Sequence, residues 1–173
     1  STRKESSAAS DVYKRQLSYC VEEHESIVDS LYRQSSYAPD RVLFERPIHS
    51  EWVPVTARQF ASEVRSLACG WINLGIQPGD RIALLSQTRY EWMLFAYSIW
   101  SCGAVVVPIY PSSSAEQIHH ILKDSGARYV VVENQQNLGT VLERDTPATV
   151  QDIYVIEKSA VEQVTACLLY TSP

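Results

Sequence analysis

No glycine-rich phosphate loop is present. Neither GxGxxG nor GxxxxGKS/T occurs among the 173 residues, which contain six glycines. That argues against a dinucleotide fold or a P-loop site, both of which need glycine to bring backbone close to phosphate. The four cysteines, Cys20, Cys69, Cys102 and Cys167, include no CxxC pair, so their spacing offers neither a zinc site nor a disulfide framework. A reduced, cytoplasmic setting is the expectation. No apolar run is long enough to span a bilayer, and no apolar h-region follows the N-terminus. Basic residues are few: the formal charge is −5, with no Lys/Arg stripe, so no nucleic-acid partner is expected. No GxSxG nucleophile elbow occurs. The adjacent His119 and His120 do not match the i, i+4 spacing of helical metal pairs, so neither a catalytic nor a metal residue is assigned.

An apolar content of 45% with 20% charged residues fits a globular domain with one sizeable core. The two ends stand apart from it. Ser6 to Gln16 reads SSAASDVYKRQ and Cys167 to Pro173 reads CLLYTSP, and neither has a strand or helix period. Both resemble translated adapter DNA from a transposase-based sequencing library. The core of the DNA string that encodes the second is the reverse complement of the core that encodes the first. Residues 1–16 and 167–173 are therefore read as non-native tails, with 17–166 as the natural segment. Setting aside Arg3, Lys4, Lys14, Arg15, Glu5 and Asp11 leaves 11 of the 15 basic and 18 of the 20 acidic side chains, a net of −7.

Within that segment the apolar spacing predicts a helix from His24 to Tyr37 and a hairpin of Arg41 to Glu45 with Glu51 to Val55. Thr56 to Gln59 is a capping-box pattern. It opens a helix whose stripe is Phe60, Val64, Leu67, Trp71 and Leu74. Gly75 suits the left-handed position after that helix, and Pro78-Gly79-Asp80 reads as a turn. Strands are expected at Arg81 to Ser86, Ala104 to Ile109, Tyr129 to Glu133 and Gln151 to Glu157. The first two are apolar enough to be buried. Helices are expected at Tyr90 to Cys102, from the Ser114 to Gln117 capping box to Ser125, and weakly from Leu138 to Arg144. Cys69 and Cys102 fall in apolar helices and read as inert core residues. Strands alternating with helices argue for an α/β fold with a parallel sheet and crossover helices.

Residue chemistry alone marks one candidate site. Pro108-Ile-Tyr-Pro-Ser-Ser-Ser114 joins a strand to a helix, and ligands of open sheets bind beyond the carboxyl ends of strands. Tyr110, Ser112 and Ser113 are the candidate substrate-proximal residues, although for Ser113 or Ser114 a helix cap is the stronger reading. Glu91 reads as a favourable charge at a helix N-terminus.

The segments WVPVTARQF, LGIQPGDRIALLSQTRYEW, GAVVVPIYPSSSAEQIHHIL and DSGARYVVVE go further. Their order and spacing resemble the large N-terminal domain of the adenylate-forming superfamily, in particular the long-chain acyl-CoA synthetases. Ser112 stands where that family often has threonine, and Tyr90 where it often has proline. The resemblance implies ATP-driven activation of a fatty acid to an acyl-adenylate, then transfer to coenzyme A, with Mg2+ on the phosphates. It also implies a cytoplasmic protein with peripheral membrane contact. The family's phosphate loop (TSG-S/T-TG-x-PKG), its YGxTE segment, its ribose-binding aspartate and its C-terminal lysine do not occur in this sequence. The chain is thus expected to be an inactive N-terminal fragment. The alternatives are a fragment of another adenylate-forming ligase and a non-catalytic α/β binding module.

Overall fold

The computed structural model describes residues 23, 25–48 and 51–157. The adapter-like tails, His24, His49, Cys20 and Cys167 lie outside the described residues.

Helix α1 (Ile27–Tyr37) starts at Ser26, whose backbone N–H and hydroxyl both donate to the Asp29 carboxylate. Strands β1 (Val42–Ile48) and β2 (Glu51–Thr56) form an antiparallel hairpin, with Pro47 opposite Trp52 and Phe44 opposite Val55. Helix α2 (Ala57–Asn73) begins at the expected capping box: Gln59 N donates to Thr56 Oγ1 at 3.4 Å, and Thr56 N to Gln59 Oε1 at 2.8 Å. Its stripe of Phe60, Val64, Leu67 and Trp71 is buried.

The remaining elements build one parallel sheet. These are β3 (Arg81–Leu85), α3 (Tyr90–Ser101), β4 (Val105–Ile109), α4 (Ala115–Ser125), β5 (Tyr129–Val132), α5 (Gln135–Leu142) and β6 (Asp152–Val155). The strand order is β4-β3-β5-β6 and every pair is parallel. The chain steps from β3 to one side, then crosses back over it to β5 and β6. Right-handed crossovers in opposite directions put their helices on opposite faces. The core divides accordingly. Ile82, Leu84, Tyr129 and Val131 pack against α2 and α3. Ala83, Leu85, Val130 and Val132 pack against Ile118 and Leu122 of α4 and Val141 of α5. This two-residue alternation is what a strand buried on both faces requires.

Five expectations change. Strand β1 runs to Ile48, three residues past the expected Glu45. Strand β4 is an edge strand, with Val105 and Pro108 exposed. Proline is tolerated there because it has no N–H for a further neighbour. The last helix runs from Gln135 rather than Leu138, because Asn134 caps it by accepting from Asn137 N at 3.0 Å. The last strand is shorter than expected, Asp152–Val155. Cys69 is exposed, whereas Cys102 is buried with its thiol at 3.3 Å from Ser98 O and 3.4 Å from Ala68 O.

Burial pushes the Cys102 thiol up, and nearby Cys69 acts in the same direction. Iodoacetamide at neutral pH should therefore label Cys69 about tenfold faster than Cys102, since the exposed thiolate is the nucleophile. Peptide mass spectrometry reads this directly. Earlier labelling of Cys102 would contradict the packing.

Candidate functional site

The amino end of the sheet is architectural. Asp80 N donates to Gln77 O at 3.0 Å, and Gln77 N to Asp80 Oδ2 at 2.8 Å, which closes the Pro78-Gly79 turn. Arg128 pairs with the same carboxylate and reaches Gly75 O and Gln151 Oε1 at 3.2 and 3.3 Å. Gly103, at φ 70°, lies against this turn, and a Cβ there would stand 3.2 Å from Pro78 Cβ. The LGIQPGDR segment thus ties α2, β3, β4 and β5 together at the end away from the strand carboxyl termini. Burial pushes the Asp80 carboxyl up, but the Gln77 N–H and the Arg128 guanidinium outweigh it and hold it below the usual carboxylate range. A depressed folded value stabilises the protein above the unfolded pKa, about 3.9 for aspartate, and that contribution is lost as pH falls through the folded value. Asp80→Asn should flatten the decline of unfolding free energy below about pH 4. An unchanged slope in urea titrations at several pH values would contradict this role.

The carboxyl end carries the site. The strand order reverses at β3, the kind of point beyond which open sheets bind ligands. An open cleft of about 520 Å³ lies there. The loop after β3, Ser86 to Thr88, forms one wall and Pro108 to Ser112 after β4 forms the other, with Trp92 of α3 also lining it. Tyr110 is 81% exposed. The structure brings Tyr110 and Ser112 to this cleft but not Ser113, whose N–H donates to Tyr110 O at 2.9 Å. Ser114 is the helix cap, accepting from Gln117 N at 3.3 Å.

Sequence reasoning missed what shapes the first wall. Glu133, at the end of β5, accepts from Gln87 N at 2.7 Å, Ser86 Oγ at 3.3 Å and Arg89 Nη1 at 3.4 Å. Arg89 also donates to Glu157 at 2.7 Å and to Glu91 at 2.6 Å. Glu91 is therefore an arginine partner as well as a helix-end charge. Burial alone would lower the Arg89 pKa, but hydrogen bonds and charge from Glu91 and Glu157 raise it above its usual value. One arginine among three carboxylates leaves this cluster net negative. The only signal in the sequence was position: Ser86 to Arg89 follow a strand end directly.

Elsewhere, His119 Nδ1 lies 3.0 Å from Asp145 O. Among the described residues no group of three or more His, Cys, Asp or Glu gathers to hold a metal. No described helix is long and apolar enough to cross a membrane.

Comparison with known proteins adds the following. The AMP-binding enzyme family model matches residues 31–172. Long-chain-fatty-acid–CoA ligase FadD15 of Mycobacterium tuberculosis H37Rv is 38% identical over 125 residues, 72% of this chain and 21% of that protein. The chain therefore spans about a fifth of such curated relatives. The N-terminal domain of FACL13 from M. tuberculosis superposes with a TM-score of 0.67 at 28% identity, over 76% of this chain and 34% of that one. The Klebsiella oxytoca NpsA N-terminal subdomain shares the fold, with a TM-score of 0.59 at 23% identity, over 76% of this chain and 31% of that one.

Proposed function

The chain belongs to the AMP-binding enzyme family, and from that premise we propose that it is the N-terminal part of an ATP-dependent long-chain fatty acid–CoA ligase. The observation that carries this reading is the 38% identity to a long-chain-fatty-acid–CoA ligase. Such a ligase joins a carboxylate to AMP with release of pyrophosphate, then passes the acyl group to the thiol of coenzyme A. Fatty acid, ATP and coenzyme A are substrates of the whole protein. Mg2+ would arrive on the ATP phosphates, and the described residues gather no ligand set for it, so no step is assigned to it. A cytoplasmic location with peripheral membrane contact belongs to the same proposal, because a long alkyl chain favours lipid over water.

Within this scheme the 173 residues supply framework and one cleft. Tyr110 and Ser112 are the substrate-proximal residues, and Ser113 supports Tyr110 through its backbone. No residue here is catalytic, and the chain alone makes no acyl-adenylate. Residues 17–166 are the natural segment in this reading. The family match runs to residue 172, across most of the second adapter-like tail, so the tails rest on the relationship between their coding DNA strands.

Sequencing the source DNA tests this part. The expected result is adapter at both ends and, past Ala166, a reading frame that continues into a Ser/Thr/Gly-rich phosphate loop. Natural flanking codons, or a stop codon close to residue 166, would overturn it.

A further inference from the structure

Cys69 of α2 and Cys102 at the end of α3 sit in different helices, yet the packing of those helices sets them beside each other. The Cys102 thiol donates to Ala68 O at 3.4 Å. That carbonyl belongs to the peptide unit that joins Ala68 to Cys69. In a trans peptide the oxygen stands about 3 Å from the next Cα, which puts the Cys102 sulfur within about 6 Å of the Cys69 backbone. Charge on Cys69 is also felt by the Cys102 thiol. A disulfide joins Cα atoms about 4.4–6.8 Å apart, and a sulfur this near its partner's Cα is compatible with that span.

The two thiols differ in the way that a stepwise oxidation needs. Cys69 is exposed and Cys102 is buried, so an oxidant in water reaches the first and not the second. Cys102 is the residue at which α3 ends. Its N–H donates to Ile99 O at 3.1 Å, and Gly103 after it turns at φ 70°. Past the last helical turn, a side chain can swing toward α2 without opening the α3 ladder. The contacts it gives up, to Ala68 O and Ser98 O, are those of a weak S–H donor.

We propose that Cys69 and Cys102 form a reversible disulfide when the protein meets a hydroperoxide. The Cys69 thiolate attacks one peroxide oxygen and the O–O bond breaks. The other oxygen takes a proton and leaves as an alcohol, or as water when the oxidant is hydrogen peroxide. Cys69 is then a sulfenic acid. The Cys102 sulfur attacks the Cys69 sulfur and gives up its proton, the S–O bond breaks, and the hydroxyl departs with that proton as water. Two thiols lose two electrons and one hydroperoxide gains them. A small thiol reverses the bond by exchange. The bridge staples α2 to the end of α3, and it holds or fails independently of the ligase reading.

The 173-residue chain at low micromolar concentration is treated with hydrogen peroxide, alkylated and digested with trypsin without reduction. Residues 66–81 and 90–123 should appear as one linked pair. Its level should exceed that of any pairing through Cys20 or Cys167 about tenfold, since proximity in the fold raises the effective concentration. Dithiothreitol should release both peptides. In urea the preference should vanish, which separates a bridge of the folded state from random pairing. Cys102→Ser should leave Cys69 as a sulfenic acid that dimedone traps, and Cys69→Ser should leave Cys102 unoxidised. Five results would each overturn the proposal: no oxidation of Cys69, a sulfenic acid that persists on Cys69 of the unaltered chain, Cys69 joined mainly to Cys20, Cys167 or a second chain, an equal preference in urea, or oxidation of Cys102 in Cys69→Ser.

Discussion

Replacing Trp71 with alanine should lower the unfolding free energy by about 3–5 kcal/mol, the usual cost of deleting a large buried aromatic. Trp71 is fully buried. Its ring meets Phe95 of α3, Tyr129 of β5 and Tyr154 of β6 at centroid distances of 6.2, 5.9 and 5.8 Å. Its indole N–H donates to Ser98 Oγ at 3.1 Å, and Ser98 in turn donates to Phe95 O at 2.7 Å. One side chain therefore joins α2 to the next helix and to two strands. The substitution leaves a cavity at a four-element junction and takes away the ring that packs there. The midpoint of thermal unfolding should fall by about 10 °C or more. Trp52 is the control. It is 68% exposed on the hairpin, and Trp52→Ala should change stability by less than about 0.5 kcal/mol. Equal effects at the two positions would sink the assignment of Trp71 as the junction.

Glu63→Ala is the second large effect. Glu63, on α2, takes Arg46 of β1 in a two-pronged pair, with Nη1 to Oε2 and Nη2 to Oε1 both at 3.2 Å. Tyr90 at the start of α3 donates its hydroxyl to the same carboxylate at 2.8 Å. The Arg46 guanidinium also lies 4.8 Å from the centre of the Tyr90 ring. The side chains of Glu63 and Arg46 are 17% and 27% exposed, so solvent screens the pair in part. Removing one member of a fully buried pair costs about 3–5 kcal/mol; partial exposure reduces the expected loss here to about 2 kcal/mol. The hairpin should loosen before the sheet does, because this clasp anchors β1 while the parallel strands have their own core. Hydrogen exchange should show protection falling first at Phe44 and Val55. Uniform loss across β3 and β5 would contradict a local clasp.

Both predictions use residues whose roles differ in how far the sequence showed them. Trp71 was legible because its stripe repeats at helical spacing from Phe60, and period alone places such a residue inside. Glu63 was not, since its partners lie 17 and 27 positions away. The same divide runs through the candidate site. Tyr110 and Ser112 were found because they follow a strand directly. Glu133 was read only as the end of a strand. Its work is done on Gln87 and Arg89, from which the chain returns to Glu133 only after two crossovers. Strand β4 lies where the sequence puts it, but its edge position was not legible, for a related reason. Its valines suit a buried strand, but whether a strand lies at the edge depends on the order of pairing, which composition does not encode. Cys69 shows a third limit: a helix can be apolar on average while one of its faces meets water. The PGDR residues are part of what carries the family resemblance, yet their geometry is that of a turn lock. That part of the resemblance therefore identifies the family through structure rather than through catalysis.

The central claim is that these residues open a fatty acid–CoA ligase whose phosphate-handling parts lie elsewhere in a longer protein. Palmitate-dependent ATP–pyrophosphate exchange tests it most directly, measured side by side on the 173-residue chain and on the product of the complete reading frame. The account expects exchange and palmitoyl-CoA from the longer protein and none from the shorter. Exchange by the 173-residue chain, or its absence from the complete protein, would contradict it.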